Sequence, residues 1–398
     1  MPEPVNKSIK SQITMLMIVG LALFIVVSLV LYLSKSAFKK QSQQEIKKVQ
    51  ETAIETQPVK EFVAKCVDKL AKDAVVLLGK QGGYIYASQG GTLVDYAETD
   101  EGLFFVKYNN LNAAYNILPP KFNVFPYSFD IPDYPWTTFP YQTPTSNAEI
   151  FDGFFGISNM PPLNSSEGPH SIQSQIETFI DNNMASCADF NIFKKQGLDI
   201  EMNSIKTSVI IGSSDVSVKS KIPITITNPS TKESAEISEF QANINIRLRD
   251  MYFLTKELIE NDIKNIKFNL KSAKSNDESV NIKLIENVFS NDDLIIVTDE
   301  KSMINGKPLE YIFARRNRVP ALYYNRKHEL SFPHGYIINQ SDLLGNYKLH
   351  AEDPDEDNLT FTITPKLPKE LVVPQIKFKV EVSDGALSDY QIITINRI

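Results

Sequence analysis

Asp353, Asp355 and Asp357 alternate through the turn Glu352-Asp353-Pro354-Asp355-Glu356-Asp357-Asn358. Carboxylates at alternate positions of a turn can converge their oxygens on calcium, which takes about six to eight oxygen ligands. An EF-hand would need Gly at the sixth loop position and Glu at the twelfth. Counted from Asp353, those places hold Asn358 and Thr364, which excludes it. The competing reading of the same residues is a solvated acidic turn without an ion. Gly79-Lys80-Gln81-Gly82-Gly83 has the composition of a phosphate loop, but a Walker motif sets its Lys after the last Gly, between a strand and a helix. Here a helical pattern comes first and Lys80 is misplaced, so the segment is expected to cap a helix and turn. No Gly-x-Ser-x-Gly elbow, His-Glu-x-x-His or Cys-x-x-Cys pair occurs, and His170, His328, His334 and His350 are not spaced as ligands on one helix. The expected mode of action is binding, with no enzymatic activity and no cofactor other than calcium.

The elements that carry these residues follow from periodicity. From Val59, the positions Phe62, Val63, Cys66, Val67, Leu70, Ala74, Leu77 and Leu78 recur at helical spacing, and Gly79 reads as the stop. A second amphipathic helix is predicted to start near Gly168-Pro169, with Ile172, Ile176, Phe179, Ile180 and Cys187 along one side. If the two helices pack side by side, Cys66 and Cys187 can reach the Cα separation of about 4.4–6.8 Å that a disulfide needs. The alternative is two buried thiols acting as small hydrophobes. Between the helices, from Leu118 to Leu163, prolines alternate with aromatics such as Phe122, Phe125, Tyr127, Tyr134, Trp136 and Tyr141. Prolines forbid a long helix there, so this is an irregular meander, either an aromatic surface for a glycan or protein partner or a loop-rich core.

Alternation then predicts a hairpin, Ile205 to Ile211 and Val216 to Ile226, joined at Gly212-Ser213-Ser214-Asp215. A third strand follows over Phe240 to Leu248, then a helix through Met251, Leu254, Leu258 and Ile263. Short strands follow at Val280 to Ile285, Leu294 to Val297 and Pro308 to Phe313, the last two separated by an Asn305-Gly306 turn. The expected fold class is α+β.

The stretch Ile13 to Leu33 carries no charge and, at 1.5 Å per residue, covers a hydrocarbon core of roughly 30 Å. It is expected to be a retained membrane helix, making the lipid membrane a partner through residues 13–33. Lys7 and Lys10 before it, against Lys35, Lys39 and Lys40 after it, favour an inside C-terminus. Long domains, however, translocate with little regard to flanking charge. The even cysteine pair and the acceptor triplets at Asn164, Asn339 and Asn358 favour an extracytoplasmic bulk, with those asparagines as glycosylation candidates. The whole chain of 398 residues is 42% hydrophobic with a formal net charge of -7, enough to bury a core and too acidic to take nucleic acid as main partner. The predicted organisation is a tail at 1–12, the span at 13–33, a polar stalk at 34–57, a disulfide-linked helix and β-meander domain at 58–265 (the aromatic run occupying 118–163), short connecting strands at 266–318, and a terminal β-sandwich at 319–398.

That last assignment rests on a resemblance. AEDPDEDNLTFTI from Ala351 and FKVEVSDGALSDYQIITINRI from Phe378 are similar to cadherin-like, immunoglobulin-type β-sandwich repeats of cell-surface proteins. The resemblance implies a β-sandwich and adds Asp384 to Asp353, Asp355 and Asp357 as calcium-site candidates. The N-terminal half, from Lys10-Ser11-Gln12-Ile13-Thr14 to Gln81-Gly82-Gly83-Tyr84, resembles uncharacterised, exported, membrane-anchored archaeal proteins with a pilin-like start. Together these imply a single-pass cell-membrane protein with an extracytoplasmic bulk, binding envelope or surface proteins or glycans in adhesion, surface-layer contact or partner recognition. The alternatives are a pilin-like filament subunit and an envelope enzyme or accessory subunit.

Overall fold

The computed structural model describes residues 55–93, 105–120, 155–265, 267–322, 329–332, 337, 351–366 and 373–398. The predicted span at 13–33, the stalk as far as residue 54, the aromatic run from Phe122 to Tyr141 and Asn339 lie outside them. No helix among the described residues is long and apolar enough to cross a membrane. The described chain is mixed α+β, with strands predominating.

In chain order the first elements are α1 (Gln57–Lys80), β1 (Phe105–Tyr108), β2 (Leu111–Leu118), β3 (Ile157–Ser158), α2 (Ile172–Cys187), α3 (Asn191–Lys194) and β4 (Asp199–Met202). There follow β5 (Lys206–Ile211), β6 (Val216–Thr227), β7 (Ser234–Ile244), α4 (Leu248–Lys264), β8 (Val280–Phe289), β9 (Asp292–Ile304) and β10 (Lys307–Arg315). The last are β11 (Ala321–Leu322), β12 (Glu329–Phe332), β13 (Ala351–Glu352), β14 (Thr360–Thr364), β15 (Gln375–Ser383) and β16 (Ser388–Arg397). Two compact units result. The smaller comprises Met1–Glu61, of which residues 55–61 are described, with Phe190–Asn203 and Pro223–Ile237. In it β4 pairs with the end of β6, Ile200 opposite Ile226, and the next turn closes with Asn228 N–H donating to the Glu233 carbonyl.

The larger unit holds Phe62–Asp189, Ser204–Ile222 and Ser238–Ile398. Its main sheet has the order β1-β2-β10-β9-β8, with β3 on β2, and β10 runs parallel to β2. The sequence reading assigns the strands after residue 280 to a connecting region at 266–318. In the sheet they share one core with its earlier strands, where Val106, Ala113 and Tyr115 meet Leu294, Ile312 and Ala314. The Asn305-Gly306 turn forms as expected, both residues at positive φ, 52° and 76°, as a tight hairpin of that hand demands. The 205–226 hairpin also forms, Val209 opposite Val218. Its β5 is tied to α2 by Gln173 Nε2 donating to the Val209 carbonyl and Val209 N–H donating to Glu177 Oε1.

Two helix boundaries differ from the sequence reading. The helix α1 runs through Gly79, whose hydrogen-only side lies against β10: a Cβ there would sit 2.3 Å from the Glu310 carbonyl oxygen. The cap comes later, with Gly82 at φ 70° and Gly83 N–H donating to the Leu78 carbonyl across the terminus. Similarly, α2 begins at Ile172 instead of Pro169, because the Ser171 hydroxyl accepts from Ser174 N–H and fixes the N-cap there.

The C-terminal strands form a four-stranded sheet, β12-β16-β15-β14, and a two-stranded one, β11-β13. Leu322 and Ala351 of the small sheet join Phe378, Val380, Val382, Ile393 and Ile395 of the large one in a single apolar cluster.

Candidate functional site

The acidic turn does not stand out in solvent. The end of α4 supplies Asp262, the start of β9 Asp293, the end of β10 Arg315, and the linker after it Arg318, all almost fully buried. Arg315 pairs with Asp262 at 2.9 Å, Asp293 at 2.6 Å and Asp355 at 3.1 Å. Arg318 pairs with Asp262 at 2.9 Å, donates from Nε and Nη2 to Asp355 Oδ1 at 2.9 and 2.7 Å, and donates from its backbone N–H to Asp355 Oδ2 at 2.6 Å. Its remaining donors reach the carbonyls of Phe155 at 3.0 Å and Pro354 at 2.7 Å. Burial pulls the guanidinium of Arg315 toward neutrality, but the charges of Asp355, Asp262 and Asp293 outweigh it and hold its pKa above the usual value. This is an ion-pair clasp that draws the acidic turn onto the main sheet and α4. A guanidinium suits it because its planar fork can serve several acceptors at once.

Asp355 is therefore consumed by the clasp, with both carboxylate oxygens engaged by arginine or backbone donors. The other three calcium candidates lie beside it in different states. Asp353 Oδ1 caps the turn, accepting from the N–H groups of Asp355 and Asp357 at 2.8 and 3.2 Å, while its buried Oδ2 has no hydrogen-bond partner. Asp357 Oδ2 is likewise buried and unpartnered. Asp384, in the β15–β16 turn, accepts from Ala386 and Leu387 N–H at Oδ1 and from Asn317 Nδ2, 2.9 Å away, at Oδ2. Burial, reinforced by the charges of Asp355 and Asp357, pushes the Asp353 carboxyl up to about 7. Burial and the charges of Asp355, Asp293 and Asp384 push Asp357 up to about 6. Among the described residues no three His, Cys, Asp or Glu side chains gather as a metal-holding group.

Sequence reasoning missed Arg315, Arg318, Asn317, Asp262 and Asp293. For the two arginines the local signal is the run Arg315-Arg316-Asn317-Arg318, which reads as a solvated basic patch, and Asn317, Asp262 and Asp293 carry none. Beside it, Tyr115 donates to Asp292 Oδ2 at 2.5 Å, and Asp292 Oδ1 accepts Asn317 N–H at 2.7 Å, tying the linker to β2.

Cys66 and Cys187 form a disulfide joining α1 to α2, with their Cα atoms 5.8 Å apart. Of the glycosylation candidates, Asn164 and Asn358 are exposed. Comparison with known proteins finds no family and no curated protein that matches the chain.

Proposed function

We propose that the chain is a single-pass membrane protein whose bulk lies outside the cytoplasm and which acts by binding, in adhesion, envelope or surface-layer contact, or recognition of a partner protein or glycan. The observation that carries this reading is the Cys66–Cys187 disulfide, since such bonds persist chiefly in oxidising compartments. The uncharged stretch from Ile13 to Leu33 supports an anchor, and the exposed acceptor asparagines 164 and 358 are compatible with glycosylation. The C-terminal strands, with two sheets sharing one apolar cluster, are read as an immunoglobulin-type module of the cell-surface kind. Support for binding over catalysis comes from the buried polar groups of the junction: the arginines and most of their carboxylates are spent on each other. An antibody against the C-terminal module tests the reading. Equal decoration of intact and permeabilised cells is expected, and decoration only after permeabilisation would overturn it.

A further inference from the structure

A strand at the edge of a sheet presents unpaired N–H and C=O groups to any passing chain, and folded proteins blunt such edges with charges, bulges, proline or brevity. Most edges of this chain follow the rule. In the main sheet β1 is short and carries Lys107, while β8 carries Lys283 and Glu286 and loses its register before Phe289, with Asn287 at φ 55°. Elsewhere β4, β5, β7 and β12 each hold at least one charged residue. The exception is β14. It reads Thr360-Phe361-Thr362-Ile363-Thr364, with no charge, no proline and no shift in its register with β15, and no described strand meets its other edge. Among the described edge strands of four residues or more, it alone is uncharged.

A second observation says what fits there. The pattern of β14 is the same from either end: Thr360, Thr362 and Thr364 stand exposed on one face, and Phe361 and Ile363 lie half-buried on the other, against the apolar cluster of Phe378, Val380 and Val382. We propose that β14 pairs antiparallel with β14 of a second copy, about a two-fold axis through Thr362, joining two four-stranded sheets edge to edge. In this register Thr362 faces Thr362, Thr360 faces Thr364, and Phe361 faces Ile363 of the second copy, so like meets like on both faces. The half-buried side chains of the two edges cover one another and make the two apolar clusters continuous. Beyond the paired residues, the exposed Lys366 of each copy comes toward the acidic turn of the other, where Glu356 is exposed. A slip of one residue sets threonine against Phe361 or Ile363, so the register is specified. About four to six backbone hydrogen bonds, with less than about 1,000 Å² buried, make a weak and reversible pair, with a dissociation constant on the order of 100 µM.

The pairing names a partner for the binding function proposed above and rests on that reading for its biological role, while its geometry stands without it. The test uses the purified full-length protein, so the pairing can fail while the bulk proves extracytoplasmic, and the reverse. Both native cysteines are held in the disulfide, so one introduced cysteine is the sole free thiol. Thr362→Cys is expected to form a covalent dimer under mild oxidation, its two Cα atoms lying about 5 Å apart across the axis. Thr360→Cys sets its two thiols about 14 Å apart and is expected to cross-link at least about tenfold more slowly, whereas combining it with Thr364→Cys restores the rate. Thr362→Lys opposes two ammonium groups on the axis and is expected to weaken self-association, measured by sedimentation equilibrium, about tenfold or more; Thr362→Val leaves it intact. The exposed position of Thr362 lets these variants keep the fold. Hydrogen exchange adds a check: about half of the β14 amides should be protected in dilute protein and all of them in concentrated protein. Cross-linking of Thr362→Cys no faster than that of Thr360→Cys, or self-association indifferent to Thr362→Lys, would overturn the pairing. Full protection of β14 in dilute protein would overturn it too, since the chain's own residues then cover the edge.

Discussion

Replacing Arg318 by Met keeps most of the side-chain volume and removes the charge. In the wild type this side chain is fully buried, pairs with Asp262 and Asp355, and serves the carbonyls of Phe155 and Pro354. The variant leaves two buried carboxylates to share Arg315 alone and strips a donor from two carbonyls. Breaking a buried pair by removing one partner costs about 3–5 kcal/mol. Each orphaned buried acceptor costs about 1–3 kcal/mol, though these terms overlap and do not sum. Asp355 keeps the Arg318 backbone N–H, so the expected total is about 3–5 kcal/mol, a large part of the roughly 5–15 kcal/mol that holds an ordinary domain together. The assay is urea unfolding of wild type, Arg318→Met, Asp355→Asn and the double variant, followed by circular dichroism. The two single losses are expected to exceed the double loss by at least about 1.5 kcal/mol, because the second removal acts on a clasp already broken. As a reference, Lys219→Ala, which breaks the half-exposed pair with Glu239, is expected to cost under about 1 kcal/mol. A loss for Arg318→Met no greater than that of Lys219→Ala, or additive single losses, would refute the clasp.

Reduction of the Cys66–Cys187 bond, which closes a separation of 121 residues, is expected to lower stability by about 2–5 kcal/mol, measured as unfolding with and without reductant. A change under about 1 kcal/mol would show that the bond contributes little. Gly79→Ala is expected to destabilise by at least about 1 kcal/mol, because its Cβ would meet the Glu310 carbonyl; in an unobstructed helix the same change stabilises by about 0.5–1 kcal/mol, so the sign of the shift in Tm decides. Burial, opposed by hydrogen bonds from the Leu322 and Tyr390 N–H groups, pushes the Asp389 carboxyl up to about 6. A carboxyl raised in the fold gives its stabilisation in full below the unfolded pKa, near 3.9, and loses it as pH rises to about 6. Wild type minus Asp389→Asn stability should therefore fall between pH 4 and 7 by on the order of 2 kcal/mol; a flat difference would contradict the assignment.

Local rules carried much of the fold. Alternation placed the 205–226 hairpin, the Asn305-Gly306 pair placed the β9–β10 turn, and helical spacing put both cysteines where two helices can join them. What local rules could not supply is anything decided by a distant partner. Gly79 looks like a stop until β10, more than 200 residues later in the chain, lies against it. The parallel pairing of β2 with β10 leaves no mark on either strand. The same holds for the junction. Alternating aspartates suggested one metal-binding turn, but which of them remain available depends on Arg318, and Arg318 in a basic run reads as a surface residue. Asn317 carries no signal at all, since an asparagine in a linker is ordinary until its surroundings prove to be dry.

Protease treatment of intact cells tests the extracytoplasmic placement of the bulk most directly. Brief digestion should remove the C-terminal epitope and the disulfide-linked helices while a short fragment containing residues 13–33 stays with the membrane pellet. A full-length chain that survives digestion until the cells are lysed would contradict the placement and, with it, the binding function proposed for the surface.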